Sequence, residues 1–230
     1  MKSYRIGMGW MVALVLALVS GVAQAKVELP LLFSDGAVLQ RDQPMRVWGT
    51  ADAGASVQVD FNGNTVDVIA GSDGRWSATL PAHGAGGPYE LKVRSGDTTR
   101  VVRDVLVGDV WLASGQSNME WPVVSSDAAE EVIASAGDTQ IRHFKIPKSW
   151  SAKPEHDLVG GNWLPASPQT VGTFSAVGYA FARDLRAATG VPISIIDSTW
   201  GGSNIQTWMS AASLGIDVKG QGWRISKLED

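Results

Sequence analysis

From residue 26 to about 103, apolar and polar side chains alternate in short runs separated by turn residues. Met45-Arg46-Val47-Trp48 and Ser56-Val57-Gln58-Val59-Asp60-Phe61 put an apolar group at every second position, the period of a strand with one buried face. Between such runs lie Ser34-Asp35-Gly36, Asn62-Gly63-Asn64, Ser72-Asp73-Gly74 and Gly84-Ala85-Gly86-Gly87-Pro88. Asn-Gly and Asp-Gly pairs tolerate the positive φ of tight hairpin turns. Strands at this spacing predict a small antiparallel β-sandwich over 26–103.

The pattern changes near residue 104. Asp104 to Ser114 is a largely apolar run, which predicts a strand buried on both faces. Ser126 to Ala136 reads as a helix capped by Ser126 or Asp127, and Ile141 to Ile146 as a further strand. Ser175 caps a second helix over Ala176 to Thr189, with Val177, Ala180, Phe181 and Leu185 on one face and Gly190 closing it. Val191 to Asp197 follows as a third strand. Strands alternating with helices imply an α/β domain with a parallel sheet over 104–230. Pro147 to Thr173 is a long polar stretch carrying Trp150 and Trp163, of the kind that serves function or wraps a neighbouring surface.

Residues 1–25 stand apart. Lys2 and Arg5 precede an apolar stretch from Met8 to Val22, and Ala23-Gln24-Ala25 has the small-x-small pattern of a signal-peptide cleavage site. The apolar run is short for a membrane span, so the expectation is an exported protein, periplasmic or secreted, with no stable span after cleavage. Loss of Lys2 and Arg5 takes the formal charge from −4 to −6. An acidic chain without clustered Lys and Arg is a poor partner for nucleic acid. With no cysteine, thiolate chemistry and disulfides are excluded. The three histidines, His83, His143 and His156, have no metal-ligand spacing. Neither a metal nor a cofactor is implied.

The candidate chemistry lies directly after the first parallel strand, in Ser114-Gly115-Gln116-Ser117-Asn118-Met119-Glu120. The carboxyl end of such a strand faces the crevice where open α/β sheets bind ligands, so Ser117 is the candidate nucleophile and its own N–H a candidate oxyanion donor. Met119 stands where the second glycine of a G-x-S-x-G elbow would be, so this is a different class of serine site. The longer string Leu112 to Pro122 resembles the nucleophile block of the sialate O-acetylesterase family within the SGNH hydrolases. A second string, Val191 to Trp208, with Trp200-Gly201-Gly202 after its strand, and the helix start Phe174-Ser175-Ala176-Val177-Gly178-Tyr179 are similar to the same family.

The resemblance implies a partial SGNH (flavodoxin-like) hydrolase domain behind the sandwich, C-terminally incomplete. It also implies a carbohydrate O-acetylesterase acting on acetylated sialic acid or another O-acetylated glycan. Ser117 would attack the acetyl carbonyl, with Gly202 as first choice and Gly201 as second for the backbone oxyanion donor. Gln116, Asn118, Trp121 and Trp208 would line the substrate crevice, with Trp200 beside them, whereas Trp48, Trp76 and Trp111 are assigned to core packing. Such an esterase needs an Asp-x-x-His, and none exists here, because Leu80, Gln140 and Lys153 stand three residues before the histidines. Gln221-Gly222-Trp223 is no convincing substitute for the family's later oxyanion donor. His143 fits strand packing, and His156, on the long loop, is a minor candidate for a substitute base. The expectation is therefore an esterase nucleophile in a truncated or split gene product, weakly active or inactive alone. The alternatives are a non-catalytic glycan-binding protein and a fragment unable to fold stably.

Overall fold

The computed structural model describes residues 26–151, 154–210 and 213–215. The leader expected at 1–25 and Gln221-Gly222-Trp223 lie outside them. Among the described residues ten strands are formed: β1 (Val38–Gln40), β2 (Met45–Thr50), β3 (Ser56–Phe61), β4 (Asn64–Ile69), β5 (Arg75–Leu80), β6 (Gly86–Ser95), β7 (Thr98–Gly115), β8 (Ile141–Lys145), β9 (Trp163–Pro165) and β10 (Ile193–Thr199). Three α-helices are interleaved, α1 (Ser117–Glu120), α2 (Ala129–Ser135) and α3 (Ala176–Thr189).

β2 and β5 pair antiparallel as a two-stranded sheet, with Trp48 opposite Ser77. They face the β4-β3-β6-β7 sheet, and their inward side chains Met45, Val47, Trp76, Ala78 and Leu80 meet Val57, Val59, Phe61, Leu91 and Val93 in one core. Alternation along β2 and β5 sends every second residue inward, as a strand with one wet face requires.

β7 is 18 residues long and runs straight across the 103/104 boundary read from the sequence. Its first half pairs antiparallel with β6, and its last seven residues, Asp109 to Gly115, pair parallel with β10. β10 also pairs parallel with β8, whose other edge takes β9 antiparallel. The joint is Gly108, where a Cβ would lie 2.0 Å from the Pro192 carbonyl oxygen, so only glycine lets the β10 lead-in approach. α3 covers one face of this parallel sheet, packing Tyr179 and Ala182 with Ala113, Ile141, Ile193 and Ile195. Against the other face, Phe144 and Trp163 pack with Leu31, Leu32 and Ile196. Trp163 Nε1 donates to the Leu32 carbonyl at 3.0 Å, so the long 147–173 stretch does wrap the amino-terminal segment.

α3 has the bounds and caps expected of it: Ser175 Oγ accepts from Gly178 N at 3.1 Å, and Gly190 closes the helix at φ 69°. Its buried face differs from expectation. Gly178, Tyr179 and Ala182 are buried, whereas Val177, Ala180 and Phe181 are exposed. The α3-proximal edge of β7 is correspondingly open: Trp111 is 45% and Leu112 67% exposed. The expected double burial of this strand and the core role of Trp111 are therefore corrected. Trp111 sits at the last strand on its side, and its ring meets Phe181 edge-on at 4.9 Å. Trp48 is also corrected from core to surface, because it occupies an outward position of β2, whereas Trp76 is buried as expected. α2 starts three residues later than the expected Ser126, whose hydroxyl donates to Val123 O at 2.7 Å and closes the preceding 3₁₀ turn.

Candidate active site

The carboxyl ends of β7 and β10 lie side by side, with Thr199 opposite Gly115. Each strand then breaks into a turn. Gly115 (φ 136°) leads to Ser117 at the start of α1, exposed to solvent. The amides of Met119 and Glu120 are satisfied by the Gln116 carbonyl, both at 3.0 Å. Trp200 N donates to Gly115 O at 2.9 Å and sets the second turn beside the first. Gly201 fits closely there, since a Cβ on it would stand 3.6 Å from Ser117 Cβ.

Glu120 joins the two turns. Its Oε2 accepts from Gly201 N at 2.5 Å, and its Oε1 meets Lys148 Nζ at 2.7 Å. Burial by itself would raise the Glu120 pKa, but Lys148, the Gly201 amide and Lys145 outweigh it and hold the carboxyl below its usual range. The Gly201 N–H is thus occupied. Gly202, at φ 79°, is exposed and a Cβ on it would meet open space.

α3 anchors the site from below. Ser175, its cap, also donates through Oγ to Met119 O at 2.6 Å, and Ala176 N donates to Trp121 O at 2.8 Å. Deeper in the sheet, buried Asp197 on β10 receives Lys145 Nζ at 2.9 Å and Thr199 Oγ1 at 2.7 Å. His143 Nε2 approaches its other oxygen to 3.2 Å without hydrogen-bond alignment. Desolvation pushes Asp197 up, but His143, Thr199 and Lys145 prevail, and its pKa is lowered. This cluster was not singled out in the sequence, because Lys145 on β8 stands 52 to 54 residues from its partners Asp197 and Thr199 on β10.

The structure brings Gln116, Ser117, Asn118, Trp200, Gly201 and Gly202 onto two adjoining strand ends. Trp121 (52% exposed) and Trp208 (37% exposed) lie on the same two blocks; their indole N–H groups are tied to Ser125 O and Ser203 Oγ, both at 2.9 Å. The histidines go elsewhere. His143 is buried and stacks on Phe174 at 4.3 Å. His83 packs between Phe61 and Tyr89 in the sandwich. His156 rests on Arg75 of β5, which removes it as a substitute base. Among the described residues the Ser117 hydroxyl has no hydrogen-bond partner, and no group of three or more His, Cys, Asp or Glu converges as metal ligands.

A parallel strand pair ending in a serine turn and a glycine turn defines an α/β protein whose candidate functional edge lies at the strand carboxyl ends. Residues 107–217 match the family model described as carbohydrate esterase, sialic acid-specific acetylesterase, and over these residues the chain belongs to that family. It is 32% identical to the rat sialate O-acetylesterase over 226 residues, covering 90% of this chain and 42% of the relative. The human sialate O-acetylesterase is 32% identical over 197 residues, covering 77% and 38%. A crystal structure of a carbohydrate acetylesterase from Xanthomonas citri superposes with a TM-score of 0.82 at 55% identity, covering 84% of this chain and 44% of that one. The chain spans less than half the length of these relatives.

Proposed function

We propose that this chain carries the nucleophile of a serine esterase that removes acetyl groups from O-acetylated sialic acid or a related glycan. The observation that carries this reading is the exposed Ser117 beside a Gly201-Gly202 turn, in which the Gly201 amide is tied to Glu120 and Gly202, at φ 79°, borders open space. Ser117 Oγ attacks the acetyl carbonyl carbon, and the developing oxyanion is held by the N–H groups of Ser117 and Gly202. The tetrahedral species collapses, the sugar oxygen leaves with a proton, and water later releases acetate from the acyl-serine. Gln116, Asn118, Trp121 and Trp208 border the substrate, with indole faces against the sugar ring. The leader pattern supports export to the periplasm or beyond.

A serine hydroxyl needs a base, and no histidine of this chain stands at Ser117. The base is expected from polypeptide outside the described residues. Turnover of p-nitrophenyl acetate by this chain and by a fusion to the C-terminal remainder of the Xanthomonas citri esterase tests the reading. The fusion is expected to be active, and Ser117→Ala to lower its rate by about 10⁴ or more. An inactive but folded fusion, or a fusion that keeps its activity in Ser117→Ala, rejects it.

The placement of the three histidines favours one second reading, glycan binding in the same crevice without turnover. Calorimetry with acetylated sialosides discriminates: saturable binding without acetate release supports it, and absence of heat removes it.

A further inference from the structure

The outer face of the β2–β5 sheet is built differently from an ordinary wet strand face. Trp48 stands at its centre, 37% exposed, with Ser77 directly opposite. Two residues to either side along β2 come Arg46 and Thr50, and Thr50 pairs with Arg75. An indole is thus framed by two guanidiniums and two hydroxyls on one flat surface. Phe33 meets the Trp48 ring edge-on at 4.6 Å and braces it.

Three further segments raise walls around this face. Glu28 to Pro30, Ile69 with Gly71, and Glu155 to Asp157 complete a groove of about 710 Å³, a size in the usual range of small-molecule sites. Its acidic groups are already engaged. Glu28 pairs with Lys26 at 2.5 Å, Glu155 accepts from Ser151 Oγ at 2.5 Å, and Asp157 Oδ1 accepts from Leu31 N at 3.0 Å. Arg75 is shared between Asp73 and His156. Arg46 is committed only through Nε, which donates to Ser77 Oγ at 2.8 Å, and it makes no ion pair among the described residues. Its terminal N–H groups remain available as a planar pair of donors.

We propose that this groove is a second saccharide-binding site, on the sandwich and separate from Ser117. A pyranose ring stacks its apolar face on Trp48, and an oxygen-bearing substituent of the sugar, carboxylate or acetyl, accepts from the Arg46 guanidinium. Ser77, Thr50 and Arg75 supply hydrogen bonds around the ring. The site holds glycan without chemistry, so it keeps a polymeric substrate near the strand-end edge by raising its effective concentration. Binding at this groove stands independently of the esterase reading, and only its tethering role rests on that reading.

Affinity electrophoresis of the whole chain in native gels containing polysialic acid or O-acetylated xylan tests it, with calorimetry on a soluble oligosaccharide of the retarding polymer. Retardation is expected in at least one gel, with Trp48→Ala binding about tenfold more weakly and Trp48→Phe retaining most of the affinity. Arg46→Ala weakens binding in the polysialic acid gel alone if the guanidinium reads a carboxylate, and in the xylan gel if it reads acetyl oxygens. Ser117→Ala should bind as the parent does, which separates this site from the esterase reading. Unchanged mobility in both gels, or equal retardation of the parent, Trp48→Ala and Arg46→Ala, overturns the proposal. Should Trp48→Ala fail to fold, Trp48→Phe and Arg46→Ala decide the matter.

Discussion

From Thr98 to Val107, β7 runs through the sandwich, where Val102, Val105 and Val107 are buried in a core closed by the β2–β5 sheet. From Asp109 to Gly115 the same strand pairs only with β10, and Trp111 and Leu112 are left exposed. The first half has its apolar side chains covered and reads as scaffold. The second half ends in a polar turn at an open sheet edge, and every candidate catalytic group is gathered there. One strand thus serves both as structural spine and as the platform of the site. The candidate chemistry sits where packing is least complete, as expected of positions selected for something other than stability.

The sharpest way to break that comparison is at its joint. Gly108→Ala drives a Cβ to 2.0 Å from Pro192 O, a backbone atom that cannot swing aside. We expect a loss of about 3 kcal/mol or more, the upper range for overpacking, read as a large drop in Tm. A thermal transition within a degree of the parent would mean that the halves of β7 are not held together here.

Next is the ion pair across the joint. Arg142 of β8, its side chain only 6% exposed, donates to both oxygens of Asp104 on β7, at 2.8 and 3.0 Å. Asp104→Ala leaves a buried guanidinium with only its Nε bond to Thr139 O. Because Asp104 itself is half exposed, the expected cost is about 2 kcal/mol rather than the larger figure for fully buried pairs. Denaturant unfolding checks it, and Asp104→Asn should recover part of the loss.

Acid sharpens the contrast further. Asp197 has a folded pKa below its unfolded value, so its contribution is fully present above the ordinary aspartate pKa of about 3.9. It is lost as pH falls through the lower, folded value. Stability should therefore decline below about pH 4, and the decline should be shallower in Asp197→Asn. Equal slopes for the two proteins would remove Asp197 from the account of acid sensitivity.

Much of this architecture was legible from local pattern. Ser175 and Gly190 bracket α3 because caps are local chemistry, and the alternation over Ser56 to Phe61 gave β3 its bounds. What escaped depends on neighbours distant in sequence. Trp48 and Trp111 look like core residues in a string, yet their exposure depends on whether another layer covers them. The Glu120–Gly201 contact joins positions 81 apart, and Glu120 reads in the sequence as one more polar residue after Ser117. The same distance explains why motif position alone left Gly201 and Gly202 unresolved.

That choice yields the smallest predicted effect. In Gly202→Ala the amide is retained and the new Cβ enters open space, so only the positive φ of 79° resists, costing about 1 kcal/mol. In Gly201→Ala the Cβ comes to 2.9 Å from Glu120 Oε2 and 3.6 Å from Ser117 Cβ. The bond that ties the two turns must then lengthen or break. Stability should change by similar small amounts in the two variants, so melting curves alone will not separate them. Activity of the fused esterase should. Gly201→Ala moves the second turn relative to Ser117 and is expected to lower kcat with little change in KM. Glu120→Gln, which still offers an oxygen to the Gly201 amide, should be the milder change. If Gly202→Ala is instead the more damaging to kcat, the geometry at Gly202 matters more than the tether at Gly201, and Glu120 is a surface contact of no consequence for the site.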